Sequence, residues 1–219
     1  MSGLLLTNYY MVSRSFWGYL ALSVFLSALF IALGNDFLLS FALFIPIIFM
    51  VSPALEVLKH EAKSGWGKFV LTTPVNRGNV VQSHYLLFLL FMLVGMVVAT
   101  VVFVVGDFIN GGLLTSETLY TFLGGIAVAL LLAVIAFPLT YFLGTEKSDM
   151  VLIMSVFAAL ALFFLSSWAF EEAYARGWME PFSSWDSGLV FSGGMLAVTL
   201  VLFVISFFVA MGIYKRKEF

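Results

Sequence analysis

Six long apolar runs broken by short polar connections dominate the chain: residues 16–33, 37–55, 85–106, 118–143, 150–170 and 189–214. A helix needs ~20 residues to cross ~30 Å of hydrocarbon, so each run predicts a membrane span. Within these bounds no run holds Asp, Glu, Lys, Arg or His. Residues 1–15 carry Leu4, Leu5, Leu6, Tyr9, Tyr10 and Val12 around a single charge, Arg14. That stretch is too short to span and predicts an interfacial helix leading into the first span. Ala32-Leu33-Gly34 has the small residues of a signal-peptide cleavage site, but the apolar run before it is longer than a usual signal core, which favours a retained span. Pro46 and Pro53 in the second run, and Pro138 in the fourth, should kink those helices or mark their ends. Gly124-Gly125, Ala158-Ala159 and Gly193-Gly194 offer small faces for close helix contact.

The longest polar connection, residues 56–84, reads as structured. Trp66, Phe69 and Val70 lie at i, i+3 and i+4, one face of a short helix. Ser64-Gly65 before it and Thr73-Pro74 after it are break signals. Asn76 can cap the next helix, with Asn79 at its third position. A basic, aromatic-tipped helix between two spans suits contact with another protein; the same pattern also suits a loop whose Trp and Phe rest in the lipid interface.

Composition fixes the class. Of 219 residues, 63% are hydrophobic and only 10% charged, which places the chain among integral membrane proteins. A net charge of −2 argues against a nucleic-acid partner. With no cysteine there is no disulfide, thiol nucleophile or thiolate metal site, and two histidines, His60 and His84, do not make a His-rich metal site. Nine of the ten Lys and Arg fall on one side of the predicted spans: Arg14, Lys59, Lys63, Lys68, Arg77, Lys147, Lys215, Arg216 and Lys217. Arg176 alone falls on the other. Positive charge marks the cytoplasm, so both termini and residues 56–84 are expected inside. The outer loops are then 34–36, 107–117 and 171–188; the last, with Trp178, Pro181, Phe182 and Trp185, predicts short helices dipping into the interface.

Candidate chemistry is sparse. No G-x-x-x-x-G-K-[ST] phosphate cradle occurs, so ATP hydrolysis is not expected in this chain. His60-Glu61 opens like a zinc motif but lacks the second histidine. Glu171, Glu172 and Arg176 form an EExxxR pattern resembling the first motif of the CAAX-protease-like membrane peptidases. That family also uses histidines in later helices, and none follows His84. The plainer reading is an ion pair one helical turn apart between Glu172 and Arg176. The spans offer hydroxyls such as Ser23, Ser40, Thr100, Thr140, Ser155 and Thr199, but no titrating group for ion coupling. A path so lined suits an amphipathic or apolar cargo, with the driving energy entering from elsewhere.

From Glu61 through Trp66, Phe69, Leu71-Thr72-Thr73-Pro74-Val75-Asn76-Arg77 and on to Ser83-His84-Tyr85, the chain resembles the bacterial type-2 ABC exporter permeases. It is most similar to the small permeases of antimicrobial-peptide and phenol-soluble-modulin exporters. His84 stands where that pattern usually has a basic residue. The resemblance implies an all-α membrane protein of six transmembrane helices, with the N-terminal interfacial helix and a cytoplasmic coupling helix between spans two and three. It further implies that the segment bearing Glu61, Trp66, Lys68, Phe69, Thr73, Pro74 and Arg77 docks on a separate ATP-binding cassette subunit. ATP and Mg²⁺ would be held there, with no cofactor in this chain. Two permeases, identical or sister chains, would form a pathway through a bacterial cell membrane for an amphipathic peptide. A lipid, drug or polysaccharide cargo stays open, as do an intramembrane peptidase and an ATP-independent pore or sensor subunit.

The charge asymmetry makes the topology testable. Reporter fusions within residues 144–148 and at the C-terminus should both read cytoplasmic, and fusions at Ile109 and Gly177 should read external. An external signal from the C-terminus would overturn the arrangement.

Overall fold

The computed structural model describes residues 2–70, 75–111, 115–178 and 185–216, and among them the chain is all-helical. The elements in order are α1 (Ser2–Leu33), α2 (Asp36–Ser64), α3 (Trp66–Phe69), α4 (Arg77–Asn110), α5 (Ser116–Leu143), a 3₁₀ turn (Thr145–Lys147), α6 (Ser148–Ala175) and α7 (Ser187–Arg216). Six of these are long and apolar enough to cross a membrane: α1, α2, α4, α5, α6 and α7. Helix is the only answer available to runs this apolar, because lipid supplies no partner for a free backbone N–H or C=O.

Several helices overrun the apolar runs that predict them. Residues 2–15 are continuous with the first span in one helix, so they form no separate element. Helix α2 carries on through Glu56, Lys59 and Glu61 to Ser64, and α4 starts at Arg77, two turns before its apolar run. Local polarity marks a loop only weakly when a helical turn can bury its polar groups against neighbours.

Helix α5 is the hub, packing on α7, α2 and α6. Its apolar window is 67% buried inside the chain against 17% for α6, which packs mainly on α5. An apolar helix without a polar stripe belongs at a bundle centre, and α5 is buried continuously from Gly124 to Ala133. Helix α1 lies along α2, and α2 along α4. The closest backbone approach is at Gly95 of α4, where an added Cβ would stand 2.8 Å from the Pro46 carbonyl oxygen. Gly124 and Gly125 likewise give room, to Phe163 and Ile47. Gly193 and Gly194 do not serve as a close face within the chain, since a Cβ on either would meet nothing within 4 Å.

The prolines neither end nor break their helices. A proline lacks the N–H that would bond the carbonyl four residues earlier. For Pro46 that carbonyl is Ala42, which accepts from Ser27 Oγ of α1 at 2.8 Å. For Pro138 it is Val134, which accepts from Ser206 Oγ of α7 at 3.1 Å. Tyr85 Oη of α4 lies 2.8 Å from Ser206 Oγ. Ser206 has one proton and gives it to Val134, so Tyr85 is the donor. The two vacancies thus become links between helices.

Cap chemistry sets two further starts. Thr115 and Thr118 exchange side-chain and backbone hydrogen bonds as a capping box at the head of α5. Asp186 Oδ1 accepts from the Gly188 and Leu189 N–H groups at the head of α7. The Tyr120 hydroxyl, helped by those two N–H groups, holds the Asp186 carboxyl below its usual range. That contribution is complete above the ordinary Asp range and fades as pH falls through it.

The serine links are testable against the prolines. Ser27→Ala and Ser206→Ala should each cost about 1–3 kcal/mol, the cost of an orphaned buried carbonyl. In a Pro46→Ala background Ser27 should become dispensable, because the restored N–H takes up the Ala42 carbonyl; in Pro138→Ala the cost of Ser206→Ala should shrink without vanishing, because Tyr85 still loses its acceptor. Thermal unfolding in detergent would measure this, and equal losses with and without the proline would refute it.

Candidate functional site

The bundle end that carries the 61–76 segment gathers most of the polar chemistry. Gly65 takes the left-handed conformation, φ 70°, and turns the chain from α2 into the single turn of α3. This is a conformation glycine adopts at little cost. Trp66 is half-buried and rests on the hydrophobic core. Its ring meets that of Phe69 at 5.5 Å between centroids. Phe69 is 57% exposed, whereas Val70 is sealed in the core. The three apolar residues that the spacing places on one face are therefore divided: Val70 anchors the turn, Trp66 bridges, and Phe69 projects. The Trp66 indole N–H is buried, with no hydrogen-bond partner among the described residues.

Glu61 does not project with them. It is 6% exposed and sits one turn before Gly65, with its Oε1 3.1 Å from His84 Nε2. His84 is 0% exposed, and its Nδ1 lies 2.6 Å from the hydroxyl of Tyr141, itself 2% exposed. The three groups come from the end of α2, the second turn of α4 and the end of α5. With the imidazole neutral, Tyr141 O–H donates to Nδ1 and Nε2–H donates to Glu61. The Tyr141 ring in turn meets Tyr214 of α7 at 5.4 Å. Alongside, Asn8 Nδ2 of α1 donates to Ser83 Oγ at 3.0 Å. The next residue, Tyr85, packs its ring against Phe137, Phe203 and Phe207. A single polar layer therefore joins α1, α2, α4, α5 and α7 beside the short helix.

Arg77 is half-buried, and its Nη1 donates to the Lys215 carbonyl at 3.0 Å. That carbonyl is among the last of α7, where a helix lacks internal donors and its dipole favours a cation. Asn76 is the N-cap residue of α4 but makes no side-chain capping bond. Lys59 pairs with Asp149 at 2.6 Å and ties α2 to the start of α6. With both side chains partly exposed, this pair adds little stability. Thr73 and Pro74 lie outside the described residues, as do the Lys68 side chain and, in the outer loop, Pro181 and Phe182.

The residues that sequence reasoning passed over are His84, Tyr141 and Ser83. With the spans drawn at 37–55 and 85–106, Glu61 and His84 fall outside and the spans look uncharged. In the folded chain both lie within long helices, so titratable groups are buried in the bundle after all. The only local signal is His84 itself, an ionisable residue one position before an apolar run.

At the opposite end of α6, Arg176 bonds Glu172 at 2.6 Å through Nη2 and sits 5.5 Å from the centre of the Trp178 ring. Glu171 and Glu172 are exposed. Among the described residues, no three His, Asp or Glu cluster so as to hold a metal ion.

A family model described as "ABC-2 family transporter protein" matches residues 3–215. No curated protein and no solved structure matches the chain.

The Glu172–Arg176 pair behaves as a surface ion pair of one helical turn, worth a few tenths of a kcal/mol. Changing Glu171 and Glu172 to Gln should leave transport within a few fold. Complete loss with normal expression would return these carboxylates to a catalytic role.

Proposed function

The chain belongs to the ABC-2 transporter family, whose model spans nearly all of it, and we propose that it exports an amphipathic peptide using ATP hydrolysed on a separate subunit. As a member it is the membrane-spanning subunit of an ABC transporter, with the chemistry of ATP lying outside it. The docking element is α3 with its flanks, held on the cytoplasmic side. One observation carries this reading: on the single turn between α2 and α4, Phe69 stands exposed against the ring of a half-buried Trp66. Buried aromatics are the usual anchors of compact interfaces.

The site residues take distinct roles. Trp66 and Phe69 insert into the ATP-binding subunit, and Lys68 contributes a rim charge. Helix α3 itself ends at Phe69; Thr73 and Pro74, outside the described residues, are assigned to the contact on the resemblance alone. Glu61 and Arg77 contribute through their own helices' ends, since their polar groups are engaged on His84 and the Lys215 carbonyl. ATP and Mg²⁺ stay on the partner. The central portions of the spans, which offer hydroxyls and no charge, suit an amphipathic cargo moving between two permease copies or sister chains in a bacterial cell membrane.

Trp66→Ala with Phe69→Ala should abolish co-purification of the ATP-binding subunit while the permease still inserts. Each truncation is expected to cost ~2 kcal/mol, roughly 30-fold in affinity. Lys68→Ala should matter less, because a rim charge mainly tunes association rate. A double variant that still binds its ATPase and transports normally would leave both aromatics as interfacial anchors.

A further inference from the structure

The polar layer beside the short helix has a geometry that the docking reading alone does not use. Gly65 is a soft joint: its left-handed backbone has open space where a side chain would be. A docking element hung on that joint alone would swing when pushed, and the push would not reach the spans. Glu61 stands four residues before the joint, and its carboxylate is fixed to His84 at 3.1 Å. His84 is fixed in turn to Tyr141 at 2.6 Å. The three side chains are almost wholly buried, so water cannot replace any of these bonds. Imidazole has two polar atoms on opposite edges, and both are used, one toward α2 and one toward α5. His84 itself belongs to α4, the helix that follows the docking segment.

We propose that Glu61, His84 and Tyr141 are positioning residues that clamp the root of the docking segment to α4 and α5, so that displacement of Trp66 and Phe69 moves those helices together. The word docking rests on the function proposed above; the clamp does not, because it is a property of this chain by itself. Its specific element is the pair of opposed hydrogen bonds at His84 rather than the volume of the ring. Glutamine can reproduce that pairing, offering an amide N–H toward Glu61 and a carbonyl toward the Tyr141 hydroxyl. Phenylalanine fills the same space and offers neither. Tyr141→Phe removes one hydroxyl and leaves the ring stacked on Tyr214.

The chain contains no cysteine, so introduced pairs can be spin-labelled cleanly in full-length protein in phospholipid nanodiscs. Labels at positions 69 and 142 report the docking segment against the end of α5, and labels at 108 and 119 report the far end of α4 and α5. All four positions are exposed. The distance distribution between 69 and 142 should be narrow in the parent chain and in His84→Gln. His84→Phe and Tyr141→Phe should widen it about twofold, as expected for a local opening confined to one unit of the fold. The 108–119 distribution should not change. If His84→Phe stays as narrow as the parent, or if both pairs widen together, the clamp is overturned, the second outcome marking a general packing role. No ATPase is present in this measurement, so failure of the clamp and failure of the docking reading are read separately.

Discussion

A carbonyl robbed of its helical partner inside a bilayer is costly unless another helix meets it. Pro46 and Pro138 each create such a carbonyl, on the two helices that make the densest contacts of the bundle. Ser27 answers the first from α1 and Ser206 the second from α7. Because lipid is as apolar as the side chains, burial of apolar area gives little drive for helices to associate there. Hydrogen bonds of this kind, together with close backbone approach at Gly95, do that work instead. They fix which helix lies beside which, and at what height.

The same logic extends to the bundle end that carries the short helix. Asn8 meets Ser83, Arg77 meets the last carbonyls of α7, and Glu61 meets His84 and through it Tyr141. Each link joins helices distant in sequence. All but the exposed Arg77 link also satisfy groups that would otherwise be buried unpaired, at a cost larger than the gain from an ordinary hydrogen bond. A network of this kind specifies one arrangement of helices more sharply than apolar packing alone. It does so where an exposed Phe69 stands beside the glycine joint at Gly65.

Hydropathy alone made the six helices legible, because an apolar run of some twenty residues has one stable form in lipid. Their limits were not legible. Glu56, Glu61 and His84 read as loop residues, yet Glu56 is bonded by Tyr19 and the other two by each other, all within helices. Whether a polar residue is solvated or paired depends on a neighbour 23, 37 or 57 positions away, and a single sequence carries no record of that neighbour. The start of the short helix was legible from the Ser64-Gly65 break and the Trp66–Phe69 spacing, but the burial of Val70 and the exposure of Phe69 were not. Periodicity fixes a face and not what that face meets. Gly193 and Gly194 fail for the same reason: small residues permit close packing without requiring it.

The placement of the short helix decides how motion could enter the bundle. Two covalent routes leave it, back through Gly65 into α2 and forward toward α4. The first route alone is compliant because of the glycine. Val70 pins the forward side in the core, and the Glu61–His84 bond joins the two routes one turn inside the bundle. Farther in, Gly95 and Pro46 hold α2 and α4 almost in backbone contact. A loop closed by covalent chain on one side and by buried bonds on the other has few ways to deform. It can tilt as a body, carrying Tyr141 and the end of α5 with it. Packed interfaces move between discrete arrangements rather than stretching continuously. A push on Phe69 therefore either leaves this body where it is or shifts α2, α4 and α5 together, which is the behaviour the proposed docking role requires.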